Sequence, residues 1–353
     1  MIKHIERKHD ISNHTRSVIK GAYLFCTLFL LIAVLAFNNN RQLKRYELSS
    51  YAQGTTYQIV YYAQDSLISL TQTDSLLREL DLSVSLYEPK SLINKFNQSA
   101  DGITAEKHLL VLVARSRQIY QDTQGLVDPT VKPLVDAWGF GVNKPKQEPT
   151  ATQVKALLQN VGMKHLSLKG NRLQKDRPRL QLDLNGIAQG YSVDLLAALL
   201  EQHHIHHYLV ELGGELRVKG TKPGGEPFAI GIEGISSDEL NPEPMRKVIT
   251  PGNGAITTSG NYRKHHESGG RQISHIINPL TGYPVQNELI SVTVYAKDAL
   301  TADGYDNGLM AMGLGKALNF LAGRKDMGAY MVYRDKKGAI KDTVTPSFEG
   351  YQR

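Results

Sequence analysis

The chain has 353 residues, 41% of them hydrophobic, enough for one large domain or two joined lobes. Its formal charge of +7 is local: residues 1–45 carry eight Lys/Arg against Glu6 and Asp10, and the remainder is almost neutral, which excludes a nucleic-acid-binding surface spread over the globular part. A single cysteine, Cys26, excludes an internal disulfide or a cysteine-ligated zinc in that part.

In chain order, residues 1–20 form a basic segment. Residues 21–40 are uncharged and begin with the apolar run GAYLFCTLFLLIAVLAF, at about 1.5 Å per helical residue just long enough to cross a bilayer core. Lys3, Arg7, Lys8, Arg16 and Lys20 precede it, so the positive-inside bias puts the N-terminus in the cytoplasm and residues 41–353 outside it. An uncleaved single-pass anchor is expected; a signal peptide cut after Val34-Leu35-Ala36 is the alternative. Residues 41–50 read as a tether and 51–353 as the folded domain.

Within that domain, TTYQIVYYA (55–63) has the β-branched and aromatic content of a strand. Leu67 to Leu86, His108 to Gln121 and Ala151 to Val161 have helical apolar spacing. Gln124 to Gly141 is rich in turn formers and holds the only tryptophan, Trp138. Leu182 to Leu200 reads as strand, turn and helix, with Gly186 and Gly190 in the turn. A helix N-terminus there suits a phosphate, although glycines in a turn are often only a turn. The paired glycines of ELGGEL (211–216) imply a bulge or close approach to a ligand. HHIHH (203–207) spans a helix end and a strand start, so its side chains should diverge rather than share a metal. Strands continue to Tyr295, then a late helix and a closing hairpin. Helices and strands mix without regular βαβ alternation, which predicts an α+β fold of mixed sheets with packed helices.

Two segments carry candidate chemistry. His275, in SHIINPLTGYP (274–284), sits between apolar neighbours and a Pro/Gly turn, as a neutral-pH base or as a structural histidine. In LTADGYDNGLMAMG (300–313), Asp303 and Asn307 stack one helical turn apart with Asp306 beside them. Hard oxygens so placed select Mg²⁺ or Ca²⁺; the bland alternative is that Asp303 caps the helix.

Taken together, GTTY (54–57), YEPKSLINKFN (87–97), VDPTVKPLVDAWGFG (127–141), LDLNGIAQGYSVD (182–194), VELGGELRVKG (210–220), TTSGNYRK (257–264), SHIINPLTGYP and TADGYDNGLMAMG resemble, in order, the ApbE-type FAD:protein FMN transferase family. The resemblance implies FAD as substrate, Mg²⁺ as cofactor, and transfer of FMN to a Ser or Thr hydroxyl of a partner protein with release of AMP. Hydrolysis of FAD to FMN and AMP, and flavin carriage without catalysis, are the alternatives. It further implies Asp303 and Asn307 as Mg²⁺ ligands, with Asp306 and the Gly186 carbonyl assisting. Asp183 and Gln189 would flank the nucleotide turn, and Gln53, Tyr87, Leu126, Val127, Asp128 and Ile277 would line the FAD cleft, with His275 as base. Acceptors would be subunits of membrane redox complexes, met on the periplasmic side of the cytoplasmic membrane. The chain departs from the usual pattern at Asn307 (Thr is common), Gln189 (Lys), Asn185 (a small residue), Asn278 (Asp) and Gln53 (Met).

Overall fold

A computed structural model describes residues 42–142, 145, 147–234, 245–261, 265–268 and 271–350. The basic segment 1–20 and the expected anchor 21–40 lie outside the described residues, among which no helix is long and apolar enough to cross a membrane.

The main sheet has eight strands: β1 (Lys44–Ala52), β2 (Thr55–Ala63), β3 (Tyr208–Leu212), β4 (Glu215–Lys219), β5 (Gly254–Gly260), β6 (Leu289–Ala296), β7 (Met327–Arg334) and β8 (Ile340–Val344). Their order in the sheet is their order in the chain, and every pair from β2 to β8 is antiparallel. This refines the expectation of mixed sheets. Strands adjacent in the chain meet through hairpins or returning connections, which antiparallel pairing accepts. Residues 44–50, expected as tether, belong to the edge strand β1, in which no residue is buried. Strand β2 shows the half-buried alternation clearly, with Tyr57, Ile59, Tyr61 and Ala63 inward.

Helices α1 (Leu70–Val84), α2 (Leu92–Gln98), α3 (Lys107–Asp122), α4 (Lys132–Ala137), α5 (Ala151–Leu158) and α6 (Asn185–Gln202) intervene between β2 and β3. Helices α7 (Ala299–Met312) and α8 (Leu314–Leu321) intervene between β6 and β7. Helix α1 starts where Ser69 and Gln72 form a reciprocal capping box, which satisfies two of the helix-end donors. A small sheet pairs Gly102–Thr104 and Leu166–Lys169 with the central Arg172–Lys175.

Helix α7 is buried nearly all round, from Ala299 through Met310, and packs on α6, β5 and β6. A helix buried on every side needs small residues where neighbours approach. A Cβ on Gly304 would lie 2.3 Å from Ile119 Cδ1 of α3, and one on Gly308 would lie 2.8 Å from Val127 Cγ2. The core therefore closes around α7, and whatever α7 carries is set deep in the domain.

Candidate active site

Helices α6 and α7 touch at backbone distance. A Cβ on Gly190 would lie 2.3 Å from the carbonyl oxygen of Ala299 and 2.7 Å from Asp303 Cβ. Gly190 is thus a helix residue at a crossing, not part of the expected turn; the helix begins at Asn185, and residues 182–184 just before it form no strand, with only an isolated bridge of Gln181 to Val131 beside them. Close approach lets the Gly190 N–H donate to Asp303 Oδ2 at 2.8 Å. Gly186, at φ −83° and ψ 15°, leaves helical geometry within the first turn.

Asp303 is not the cap of α7. That role belongs to Asp298, whose Oδ1 accepts from Thr301 N at 2.8 Å. Asp303 lies in the second turn, 4% exposed, and Asp306 is 2% exposed. Burial raises the pKa of Asp306 well above the ordinary carboxylate value, and the negative charge of Asp303 raises it further, with Glu215 of β4 adding to the same effect. The Thr257 side chain and the Asn307 backbone N–H act the other way, and no cation is among these leading influences. Its Oδ1 is buried without a hydrogen-bond partner among the described residues. An orphaned acceptor between like charges is costly, and a hard divalent cation removes that cost. The residues present fit Mg²⁺.

Asn307 completes the set. Ser259 Oγ donates to its Oδ1 at 2.8 Å, and its Nδ2 faces Gly186, 3.4 Å from where a Cβ there would stand. Turning the amide over keeps the Ser259 bond, because a hydroxyl accepts as well as donates, and points the oxygen toward Gly186. Among the described residues no three His, Cys, Asp or Glu side chains form a metal-holding group, the HHIHH stretch included. The candidate site instead combines carboxylates with an amide and a backbone carbonyl.

The other expected residues divide. Gln189 reaches the β3–β4 turn: a Cβ on Gly213 would lie 3.1 Å from its Nε2 and 3.4 Å from Glu215 Oε2. Gly213 and Gly214, both at positive φ, form that two-residue hairpin turn, not a bulge. Gln53, at φ 53° in the β1–β2 turn, accepts from Ser192 Oγ on α6 at 2.9 Å and donates to Asp81 on α1 at 3.2 Å. Asp183 accepts from Asn185 N at 2.9 Å and so shapes the start of α6; burial raises its pKa. Val127 packs on Gly308 of α7, with Leu126 half-buried beside it.

Three more of the expected residues have different surroundings. The side chain of Asp128 is turned inward, accepting from Thr130 N at 2.8 Å and Thr130 Oγ1 at 2.6 Å, so it closes a turn. Ile277 is buried in the cluster of Leu134, Trp138, Val154 and Val161. Tyr87, 69% exposed, stands on the surface.

His275 is half-buried, its ring 6.4 Å from that of Phe140. Its segment is tied toward α7 by a short chain of contacts: Ser274 Oγ donates to Asn261 at 2.7 Å, two residues after the Ser259 that holds Asn307. Three residues escaped the sequence reading: Glu215, Thr257 and Ser259. Thr257 and Ser259 alternate on the buried face of β5, and polar side chains at inward strand positions are the signal that could have found them.

Fold and site define an α+β protein with a buried pair of carboxylates and an amide at a helix crossing, beside a glycine-opened helix start. A family model described as the ApbE family matches residues 53–331. The FAD:protein FMN transferase of Vibrio cholerae is 38% identical over 311 residues, 86% of this chain and 92% of that protein. That of Escherichia coli K12 is 35% identical over 278 residues, 77% of this chain and 78% of its own length. The solved flavin transferase ApbE from Vibrio cholerae superposes with a TM-score of 0.79 at 36% identity, covering 88% of this chain and 99% of the other. The Pseudomonas stutzeri flavinyl transferase ApbE gives 0.77 at 32%, covering 88% and 98%. The chain belongs to the ApbE family.

Proposed function

We propose that this chain is an enzyme that moves FMN from FAD to a Ser or Thr hydroxyl of a partner protein, with Mg²⁺ and release of AMP. Its class, FAD:protein FMN transferase, is that of its relatives. The observation that carries the finer reading is the buried pair Asp303 and Asp306, one acceptor oxygen orphaned, with Asp303 against Gly190 and Asn307 facing Gly186. Asp303, Asp306, Asn307 and the Gly186 carbonyl would hold the cation. Mg²⁺ bound there supplies charge neutralisation to a pyrophosphate and polarises the phosphoryl group under attack.

The chain's own residues supply the rest. The start of α6, opened by Gly186 and shaped by Asp183, offers amides to a phosphate. Val127 lies against Gly308 of α7, and the Gln189 amide lies at the Gly213 turn. His275 takes the proton from the acceptor hydroxyl as its oxygen bonds to the FMN phosphorus. The bond between the two phosphates breaks, and AMP leaves with the bridging oxygen. Positioning and electrostatics carry most of such a transfer.

Residues 21–40 are the membrane anchor in this proposal, with the catalytic domain on the periplasmic side and subunits of membrane redox complexes as acceptors. The flanking basic residues and the apolar stretch support it. Incubation of the full chain in detergent with FAD, Mg²⁺ and a Ser/Thr-bearing acceptor tests the activity. Flavin fluorescence that stays with the denatured acceptor supports transfer. Free FMN and AMP alone would mean hydrolysis, and intact FAD would mean a carrier.

A further inference from the structure

The register between α6 and α7 is held at a second point. The first free amides of α7 are all satisfied: Ala299 N donates to Asp194 Oδ1 at 3.0 Å, Leu300 N to Asp194 Oδ2 at 2.8 Å, Thr301 N to Asp298 Oδ1 at 2.8 Å and Ala302 N to Asp298 O at 3.2 Å. Asp298 is the local cap. Asp194 comes from α6, more than a hundred residues away in the chain.

Asp194 lies one helical turn beyond Gly190, and Ala299 one turn before Asp303. The two helices are therefore joined by two rungs of the same chemistry: α6 gives an amide to a carboxylate of α7, and α7 gives two amides to a carboxylate of α6. Between the rungs the backbones touch at Gly190 and Ala299. Arg217 of β4 holds Asp194 in turn, its Nη1 donating to Asp194 Oδ1 at 2.6 Å with both side chains largely buried. Arg217 lies two residues from Glu215, which acts on Asp306. The network thus ties together α6, α7 and β4, which bring Gly186, the pair Asp303 and Asp306, and Glu215 to the site.

We propose that Asp194, held by Arg217, is a positioning residue for the cation site: it fixes how far α7 slides along α6, and so where Asp303, Asp306 and Asn307 stand relative to Gly186. This rests on the cation reading above. A helix advances about 1.5 Å per residue, while Mg²⁺ demands near-octahedral oxygens at about 2.0–2.1 Å and Ca²⁺ accepts looser cages at about 2.3–2.6 Å. A slip of a fraction of a residue should therefore penalise Mg²⁺ more than Ca²⁺. Asp194→Asn keeps the shape but turns one acceptor oxygen into a donor facing a helix amide. Arg217→Gln leaves the carboxylate and removes its charged anchor.

The test is Mn²⁺ binding to the full chain in detergent, monitored by loss of its free electron-paramagnetic signal, with Mg²⁺ and Ca²⁺ as competitors. Measurements are made well below each variant's melting temperature. We expect Asp194→Asn to weaken Mg²⁺ competition about tenfold or more, to weaken Ca²⁺ competition less, and Arg217→Gln to move both in the same direction by less. A purely structural role would lower the melting temperature and leave both affinities unchanged in the folded protein, which would overturn the inference. If Asp194→Asn does not fold, Arg217→Gln carries the test alone. A parent chain that binds no Mn²⁺ would overturn the cation reading itself.

Discussion

Replacing Gly190 by alanine tests the helix crossing with a result whose sign is informative. Gly190 lies inside α6 without a positive φ, so at an open position alanine would stabilise the helix by about 1 kcal/mol. Here the added carbon would fall 2.3 Å from Ala299 O, 2.7 Å from Ala299 C and 2.7 Å from Asp303 Cβ. An ordinary contact begins near 3.4 Å, so the helices must part by roughly 1 Å, and two of the three obstructing atoms are backbone that cannot rotate away. Overpacking of this kind costs about 1–3 kcal/mol. Parting also stretches the Gly190 N–H bond to Asp303, a charge-assisted bond worth about 1.5–3 kcal/mol. The two costs overlap, and against the propensity gain a net loss of about 2–3 kcal/mol is expected. Urea unfolding of parent and variant, compared by midpoint at unchanged slope, measures it. A Gly190→Ala variant as stable as the parent, or more stable, would refute the geometry on which the site rests.

The same atoms support other predictions. Burial and Asp303 raise the pKa of Asp306, so in the metal-free chain the unfolded state ionises first as pH rises. Relative to Asp306→Asn, the parent should match it below about pH 3.9, then lose stability as pH climbs toward the raised value. Parallel melting curves without metal check this, and a constant offset across pH would count against it. His275→Ala should slow transfer much more than it weakens FAD binding; an unchanged transfer rate at saturating FAD removes His275 as base. Trp138→Phe should cost about 1 kcal/mol through loss of its indole bond to Gly282 O, by chemical denaturation. No change there would mean that the loop after His275 is held by other means.

Much of the fold was legible because local chemistry set it. The β-branched and aromatic stretch 55–63 became β2 residue for residue, and the spacing of 108–121 became α3 with one residue added at each end. Tertiary packing decided what was missed. Gly190 looks like a turn residue in sequence, yet sits inside a helix because a neighbouring backbone needs its space. Residues 44–50 look like a tether because only Tyr46 and Leu48 offer apolar side chains there, each no more than half-buried on an edge strand. The acids of α7 were visible from their spacing, although the helix starts four residues before Asp303. Glu215 and Asp194 were not visible, since each meets its target across about a hundred residues and only the sheet and the helix crossing bring them there.

The central claim is that a divalent cation sits between α7 and the opening of α6, and it is tested most directly by anomalous scattering from crystals grown with Mn²⁺ and FAD. The expected result is one strong manganese peak about 2.0–2.3 Å from oxygens of Asp303 and Asn307, within reach of Asp306 and the Gly186 carbonyl, with flavin nucleotide phosphates on its open side. A peak held by other residues, or phosphates bound far from the start of α6, would contradict it.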